Sequence, residues 1–247
     1  MKIAVISDIH GNLEAINAVF GDIEANNCQK VFVLGDYAMA GPEPDKAIDF
    51  FMQKSSNENF FMIQGNTDFM ISNYSDELFK NIQSGAPVMA EALKNDVLIL
   101  NNSQKEFLKC LPSHLEVEFE GVKFLLVHGS PRKNNENILP DTTLRELEEM
   151  IEGVKADVIL CGHTHMPCGF QTESKKTVVN VGSIGRPFTP EPKSCYLVIN
   201  VINGECLFEH RFVNYDNKQA SQKLMKRSFD GCEKLAQTLI SPKERHF

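Results

Sequence analysis

The chain has 247 residues, 42% of them hydrophobic and 23% charged, enough to enclose a full core within one domain spanning 1–247. A net charge of -8 excludes the phosphate attraction on which non-specific binding of long nucleic acids depends. No apolar run approaches the roughly 18 residues of a bilayer span. The seven cysteines, an odd number with no Cys-x-x-Cys pair, argue against a disulfide framework and for a reducing, cytoplasmic compartment.

Residues 2–7 read as a buried strand beginning at residue 2, which leaves no room for a signal peptide. Asn12 is placed to cap a helix in which Leu13, Ile16, Val19, Phe20 and Ile23 recur at helical spacing. A second buried strand is expected over 31–34, a proline-opened helix over 42–52 and a third strand over 60–64. This β-α-β-α-β start with continuous apolar strands implies a parallel sheet covered on both faces. Residues 69–112 then read as a helical insertion, either a cap over a site or packed helices. The stretch 115–127 reads as a hairpin turning at Gly121, followed by an acidic amphipathic helix over 144–151 and a buried strand over 158–161. Further strands are expected at 169–172, 176–181, 195–201 and 205–213, and one outer helix at 217–240. The apolar residues Phe69, Met70 and Ile71 could bury internally or across a homo-oligomer.

Five polar motifs each follow one of the apolar runs. They are Asp8-Ile9-His10, Gly35-Asp36, Gly65-Asn66, His128-Gly129 and Gly162-His163-Thr164-His165. In α/β sheets, ligands bind at the carboxyl ends of strands, so successive strands deliver these residues to one rim. Together they supply two carboxylates, one carboxamide and four imidazoles. That set suits two neighbouring divalent cations sharing a carboxylate, and the lack of thiolate favours a hydrolytic over a structural centre. Taken alone, Asp8, Asp36 or Asn66 would read as a turn residue at a strand end, and His128 as an ordinary part-buried histidine.

The motif series, together with Asp68 and Asn180-Val181-Gly182-Ser183, resembles that of the calcineurin-like metallophosphoesterase superfamily, particularly its small bacterial and archaeal phosphodiesterases. The resemblance covers nearly the whole chain. It implies a four-layer α/β/β/α sandwich with two central mixed sheets flanked by helices. It also implies that Asp8, His10, Asp36 and His165 hold one metal, that Asp36 bridges, and that Asn66, His128 and His163 complete the second. Asp36, Asn66 and His128 would then serve catalysis. Hydrolysis would proceed by in-line attack of a hydroxide bridging the two ions. Manganese is the expected ion, with Fe, Zn, Ni, Co or Mg compatible with the donor set.

One position departs from the common family pattern: Thr67 stands where many members carry a histidine that aids leaving-group departure. Loss of a general acid costs on the order of 10²–10⁴-fold, most for poor leaving groups. The sequence therefore points to small phosphodiesters or nucleotide phosphoanhydrides as substrates. A phosphomonoesterase or protein phosphatase is the enzymatic alternative, and a metal-binding non-catalytic scaffold the alternative of another class. Asp68 could orient a ligand or cap the following helix. Arg132 and Arg186 could grip phosphate or be solvated loop charges, and Asn12 could contact substrate as well as cap. His114 and His210 lack motif context and read as structural or surface residues.

Overall fold

The computed structural model describes residues 1–242. It opens with β1 (Lys2–Ile6), α1 (Leu13–Ala25), β2 (Lys30–Val33), α2 (Pro44–Lys54) and β3 (Phe60–Met62). Four helices follow: α3 (Asn66–Ser72), α4 (Asp76–Gly85), α5 (Pro87–Ile99) and α6 (Asn102–Cys110). The hairpin β4 (His114–Phe119) and β5 (Val122–Val127) leads to α7 (Leu144–Met150), β6 (Val158–Cys161), β7 (Cys168–Gln171) and β8 (Thr177–Asn180). The chain ends in β9 (Ser194–Ile202), β10 (Glu205–Val213), α8 (Asn217–Met225) and α9 (Cys232–Ile240).

The strands form two five-stranded mixed sheets, ordered β10-β9-β1-β2-β3 and β4-β5-β6-β8-β7. In the first, β1, β2 and β3 are parallel and β9 runs antiparallel to β1. In the second, β5, β6 and β8 are parallel while β4 and β7 are antiparallel edges. Alternation along each strand divides the side chains between two layers. Ile3, Val5, Phe32 and Leu34 meet Phe124, Leu126, Leu160 and Val179 between the sheets. Ala4, Ile6, Val31 and Val33 face outward into a core with the α1, α2, α5, α6, α8 and α9 helices. On the far side, Leu125, Val127 and Ile159 pack against Leu147 and Ile151 at α7. Strands buried on both faces are why the sequence shows continuous apolar runs. The result is the four-layer α/β/β/α sandwich expected.

Most elements fall within about two residues of expectation, and two differ more. The helical stretch starts at Asn66, because Gly65 is the N-cap of α3 and Asp68 returns to its backbone N–H in a capping box. The C-terminal helix is two helices. Ser228 and Gly231 adopt left-handed φ of 56° and 85°, and a Cβ on Gly231 would meet Val88 Cγ2 at 2.6 Å. The turn lets α9 fold back on α8, so that Leu224, Cys232 and Leu235 all reach the core. Among the described residues no helix is long and apolar enough to cross a membrane.

Candidate metal centre

The carboxyl ends of β1, β2, β3, β5 and β6 converge at one end of the sandwich, and Asp8, Asp36, Asn66, His128 and His163 each lie one to four residues beyond them. The first three come from one sheet and the histidines from the other, so the cluster spans both. Asp8, His10, Asp36, His163 and His165 all adopt left-handed φ between 46° and 68°. Non-glycine residues rarely do so, and such strain concentrates at functional sites. Here it turns consecutive side chains of short loops toward one point.

Two overlapping groups of buried ligand atoms result: Asp8, His10 and His165, and Asp8, Asp36 and His128. Asp8 Oδ1 lies 3.3 Å from His165 Nε2 and 3.9 Å from both His10 Nε2 and His128 Nε2. Asp36 presents Oδ1 to His128 at 3.4 Å and Oδ2 to His10 at 3.7 Å, one oxygen toward each half. Asn66 Oδ1 sits 2.9 Å from His128 Nε2 and 2.8 Å from His163 Nδ1. All seven expected donors are thus brought together.

Backbone carbonyls fix the imidazoles. His10 Nδ1 lies 2.8 Å from the Met39 carbonyl, His128 Nδ1 2.7 Å from that of Leu34, and His165 Nδ1 2.6 Å from that of Arg186. A ring nitrogen against a carbonyl oxygen must carry the hydrogen, so His10 and His165, when neutral, present Nε2 as a lone pair, whereas His128 Nε2 also faces an amide oxygen, that of Asn66. The Nε2 atoms of His10 and His165 then face each other at 3.1 Å. Beside them the fully buried Asp8 Oδ1 has no hydrogen-bond donor. Positive charge between these atoms would reconcile them. One proton serves one contact; a divalent cation serves all three.

The electrostatics agree. Burial opposes charge on Asp8, yet His165, His128 and His10 hold its carboxyl far below the ordinary range. Asp36 is likewise opposed by burial but drawn down to about 2 by His128. Burial and His165 push His10 to about 3, and burial and His128 push His163 to about 4, so both rings stay neutral. His128 is the exception. Burial works against its charge, but Asp36 and Asp8 raise it to about 10. The cluster therefore favours cationic charge at its centre and keeps the His10 and His163 rings neutral beside it.

Supporting residues sort out the remaining expectations. Asp68 is fully buried and accepts three backbone N–H bonds, from Gly65 and Asp36 to Oδ2 and from Tyr37 to Oδ1, at 2.7–2.9 Å. It is both helix cap and orienter of the Asp36 loop. Burial and the Asp36 charge raise its pKa to about 7, while the three N–H groups favour the carboxylate. The Thr67 N–H donates to Asp36 Oδ1 at 2.9 Å, and its hydroxyl donates to the Ala38 carbonyl at 3.2 Å. Asn12 caps α1 through Ala15 N–H and donates to the Gly185 carbonyl. It is fully buried, and the cap is the role these contacts show. Arg132 is half exposed and forks onto Glu136. Arg186 is buried, donating to Ala40 O and Thr238 Oγ1, each at 3.2 Å. Both guanidinium groups are engaged by the protein. His210 donates to the Asn180 carbonyl, His114 is exposed, and His246 lies outside the described residues.

Other contributors carried no sequence signal. The three orienting carbonyls belong to residues of no distinctive type, and Phe188, which stacks on His165 at 4.8 Å, follows the motif series without belonging to it.

The chain is 29% identical over 241 residues to an uncharacterised protein of Methanocaldococcus jannaschii, covering 91% of this chain and 92% of that protein. Its fold is similar to a hypothetical protein of Pyrococcus horikoshii OT3, with TM-score 0.85, 23% identity and 99% of both chains covered. It is also similar to a metallophosphoesterase from Sphaerobacter thermophilus, with TM-score 0.77, 22% identity, and 97% and 98% coverage. Residues 1–204 match the model of the calcineurin-like phosphoesterase superfamily domain, and the chain belongs to that family.

Proposed function

We propose that this protein is a dimetal phosphodiesterase acting on small phosphodiesters or nucleotide phosphoanhydrides. The facing lone pairs of His10 and His165, with the donorless Asp8 Oδ1 beside them, carry the reading. Asp8, His10, Asp36 and His165 would hold one ion and Asn66, His128 and His163 the other, with Asp36 shared. Bound divalent ions, manganese first among them, would supply an activated water and neutralise phosphoryl charge.

The chain's own groups do the rest. The Leu34, Met39 and Arg186 carbonyls aim three imidazoles inward, and Asp68 fixes the loop that carries Asp36. The burial of Asp8 and His128 keeps bulk water off the ligand atoms and strengthens every interaction there. Asn66 and His163 are the part-exposed members and mark the side from which substrate enters. The Thr67 hydroxyl already donates to Ala38 and has no proton to spare for a leaving group. Esters and anhydrides with good leaving groups are therefore favoured over alkyl monoesters. The whole chain acts as one domain, and all seven cysteines remain thiols in the fold, which supports a cytoplasmic setting.

Hydrolysis of bis-p-nitrophenyl phosphate against p-nitrophenyl phosphate, with and without Mn²⁺, tests this for wild type and Asp36→Asn. Metal-dependent turnover of the diester, lost in the variant, is expected. A preference for the monoester would overturn the role given to Thr67, and absence of metal uptake would favour a scaffold.

A further inference from the structure

We infer that the buried Asp96–Arg227 ion pair is a positioning device for His10, acting through the loop of residues 37–43. The inference rests on the metal-centre reading above. His10 is aimed by one bond, from Nδ1 to the Met39 carbonyl. That carbonyl sits in an unusual stretch: Met39 and Ala40 are consecutive non-glycine residues with left-handed φ of 75° and 60°. Distant side chains grip the stretch atom by atom. The Met39 N–H donates to Asp96 Oδ2 at 2.7 Å, and the Ala40 carbonyl accepts from Arg186 Nη1. The Gly41 carbonyl accepts from Arg227 Nη1 at 2.7 Å. Arg227 Nη2 lies 2.6 Å from Asp96 Oδ1, and the two side chains are 5% and 0% exposed.

The opposite side of the loop is equally fixed. A Cβ on Gly41 would lie 1.4 Å from the His10 carbonyl oxygen, so the loop rests directly on the backbone of the residue it orients. The Gly11 N–H donates to the Tyr37 carbonyl and the Glu43 N–H to that of Gly11. The loop is held between His10 and the ion pair.

Chemistry explains why this pair is charged. Replacing a buried ion pair by apolar groups of similar volume is often neutral or stabilising, so packing alone does not require it. An apolar pair has no acceptor for the Met39 N–H and no donor for the Gly41 carbonyl. The carboxylate and the guanidinium fork supply both at once, and each fixes the other. What the pair adds is direction, imposed on a strained loop and through it on an imidazole. Asp96 comes from α5. Arg227 comes from the α8–α9 turn, beyond residues 1–204 that match the family model. The C-terminal helices thus reach the metal centre through two bonds and one loop.

Arg227→Gln, Arg227→Lys and the control Arg211→Met separate positioning from mere stability in the full-length protein. Arg211 ties β10 to Asp22 of α1 and touches none of residues 37–43. Three readouts apply: the His10 Nδ1–H resonance in chelator-treated protein, the Mn²⁺ binding isotherm, and the unfolding temperature. Arg227→Gln is expected to abolish or broaden the His10 resonance and to weaken Mn²⁺ binding roughly 10–100-fold. Arg227→Lys keeps the charge but not the fork and should fall between; should the Gln variant not fold, it carries the test alone. Arg211→Met should lower only the unfolding temperature. Arg227 variants that lose stability yet keep the resonance and the wild-type isotherm would overturn the proposal. Wild type that takes up no Mn²⁺ would refute the metal reading instead, while the His10 resonance would still decide the role of the pair.

Discussion

Replacing Gly162 by alanine puts a methyl group where β6 leaves the second sheet and meets the end of β1. The added Cβ would lie 2.0 Å from Ser7 Oγ, 2.7 Å from Ser7 Cβ and 2.6 Å from Asp8 Oδ2. Ordinary contact begins at 3.4 Å, so the first pair must part by about 1.4 Å, the difference between 3.4 and 2.0 Å. Neither neighbour can retreat easily. Ser7 and Asp8 are fully buried, the Ser7 carbonyl accepts from Ile184 N–H, and the Asp8 carbonyl accepts from Gly185 N–H and Ser183 Oγ. Overpacking of this kind costs about 1–3 kcal/mol, or about 2–12 °C in Tm for a chain of this size. A shift near 1 Å in a ligand-bearing loop costs on the order of 10²-fold in rate. Thermal unfolding and Mn²⁺-dependent hydrolysis of bis-p-nitrophenyl phosphate read both effects. Gly21→Ala is the matched control: it lies within α1 with nothing inside 4 Å, and should stabilise by about 0.5–1 kcal/mol without touching activity. A Gly162→Ala protein with wild-type Tm and turnover would refute the close-approach reasoning.

Three further outcomes are expected. Asp68→Asn replaces at least one acceptor of three buried N–H groups, costing about 1.5–3 kcal/mol and roughly tenfold or more in Mn²⁺ affinity; calorimetry showing unchanged affinity would dismiss its orienting role. Thr67→Val removes a hydroxyl that serves only Ala38, so turnover should stay within about threefold of wild type while stability drops by about 1 kcal/mol; a rate loss near 10²-fold would make that hydroxyl a participant. The hydrogen bonds from Arg211, and from Tyr196, hold the Asp22 carboxyl below its ordinary 3.8. A lowered folded-state pKa gives stability that is present above the unfolded value and lost as pH falls through the folded one. The Tm gap between wild type and Asp22→Asn should therefore shrink as pH drops from 6 toward about 2; a constant gap would contradict it.

The rim of candidate ligands was legible because each member follows a strand that can be read from its own apolar run, and because His, Asp and Asn carry their chemistry in their side chains. The layering was legible for a similar reason, since alternate residues of β1 and β2 belong to different cores. What sequence did not show was mostly relational. Any residue offers a carbonyl, so nothing in Leu34, Met39 or Arg186 announces that it orients an imidazole. Asp96, in α5, and Arg227, in the α8–α9 turn, lie 131 residues apart and meet only once the chain is folded. The break between α8 and α9 was hidden because Arg227 to Asp230 differs little from helix-compatible sequence, and one left-handed glycine decides the turn. The sequence leaves Arg132 between a phosphate contact and a solvated loop charge; in the fold it forks onto Glu136, four residues on.

The division of the cluster between two sheets also sets an order in time. Synthesis releases Asp8, His10, Asp36 and Asn66 long before His128, His163 and His165. From residue 36 to residue 127 the growing chain carries both carboxylates with only one of the four imidazoles. Even β1, which bears the first ligands, lacks its antiparallel neighbour until β9 has been made. With the assignment proposed here, a complete ligand set waits on His163 and His165, and closure of the first sheet on β9. On that reading the ion would be taken up as the sandwich closes, before burial slows exchange. Protein expressed in manganese-fed or iron-fed medium should accordingly retain the supplied ion through purification, and identical metal content from both media would argue for selection after folding.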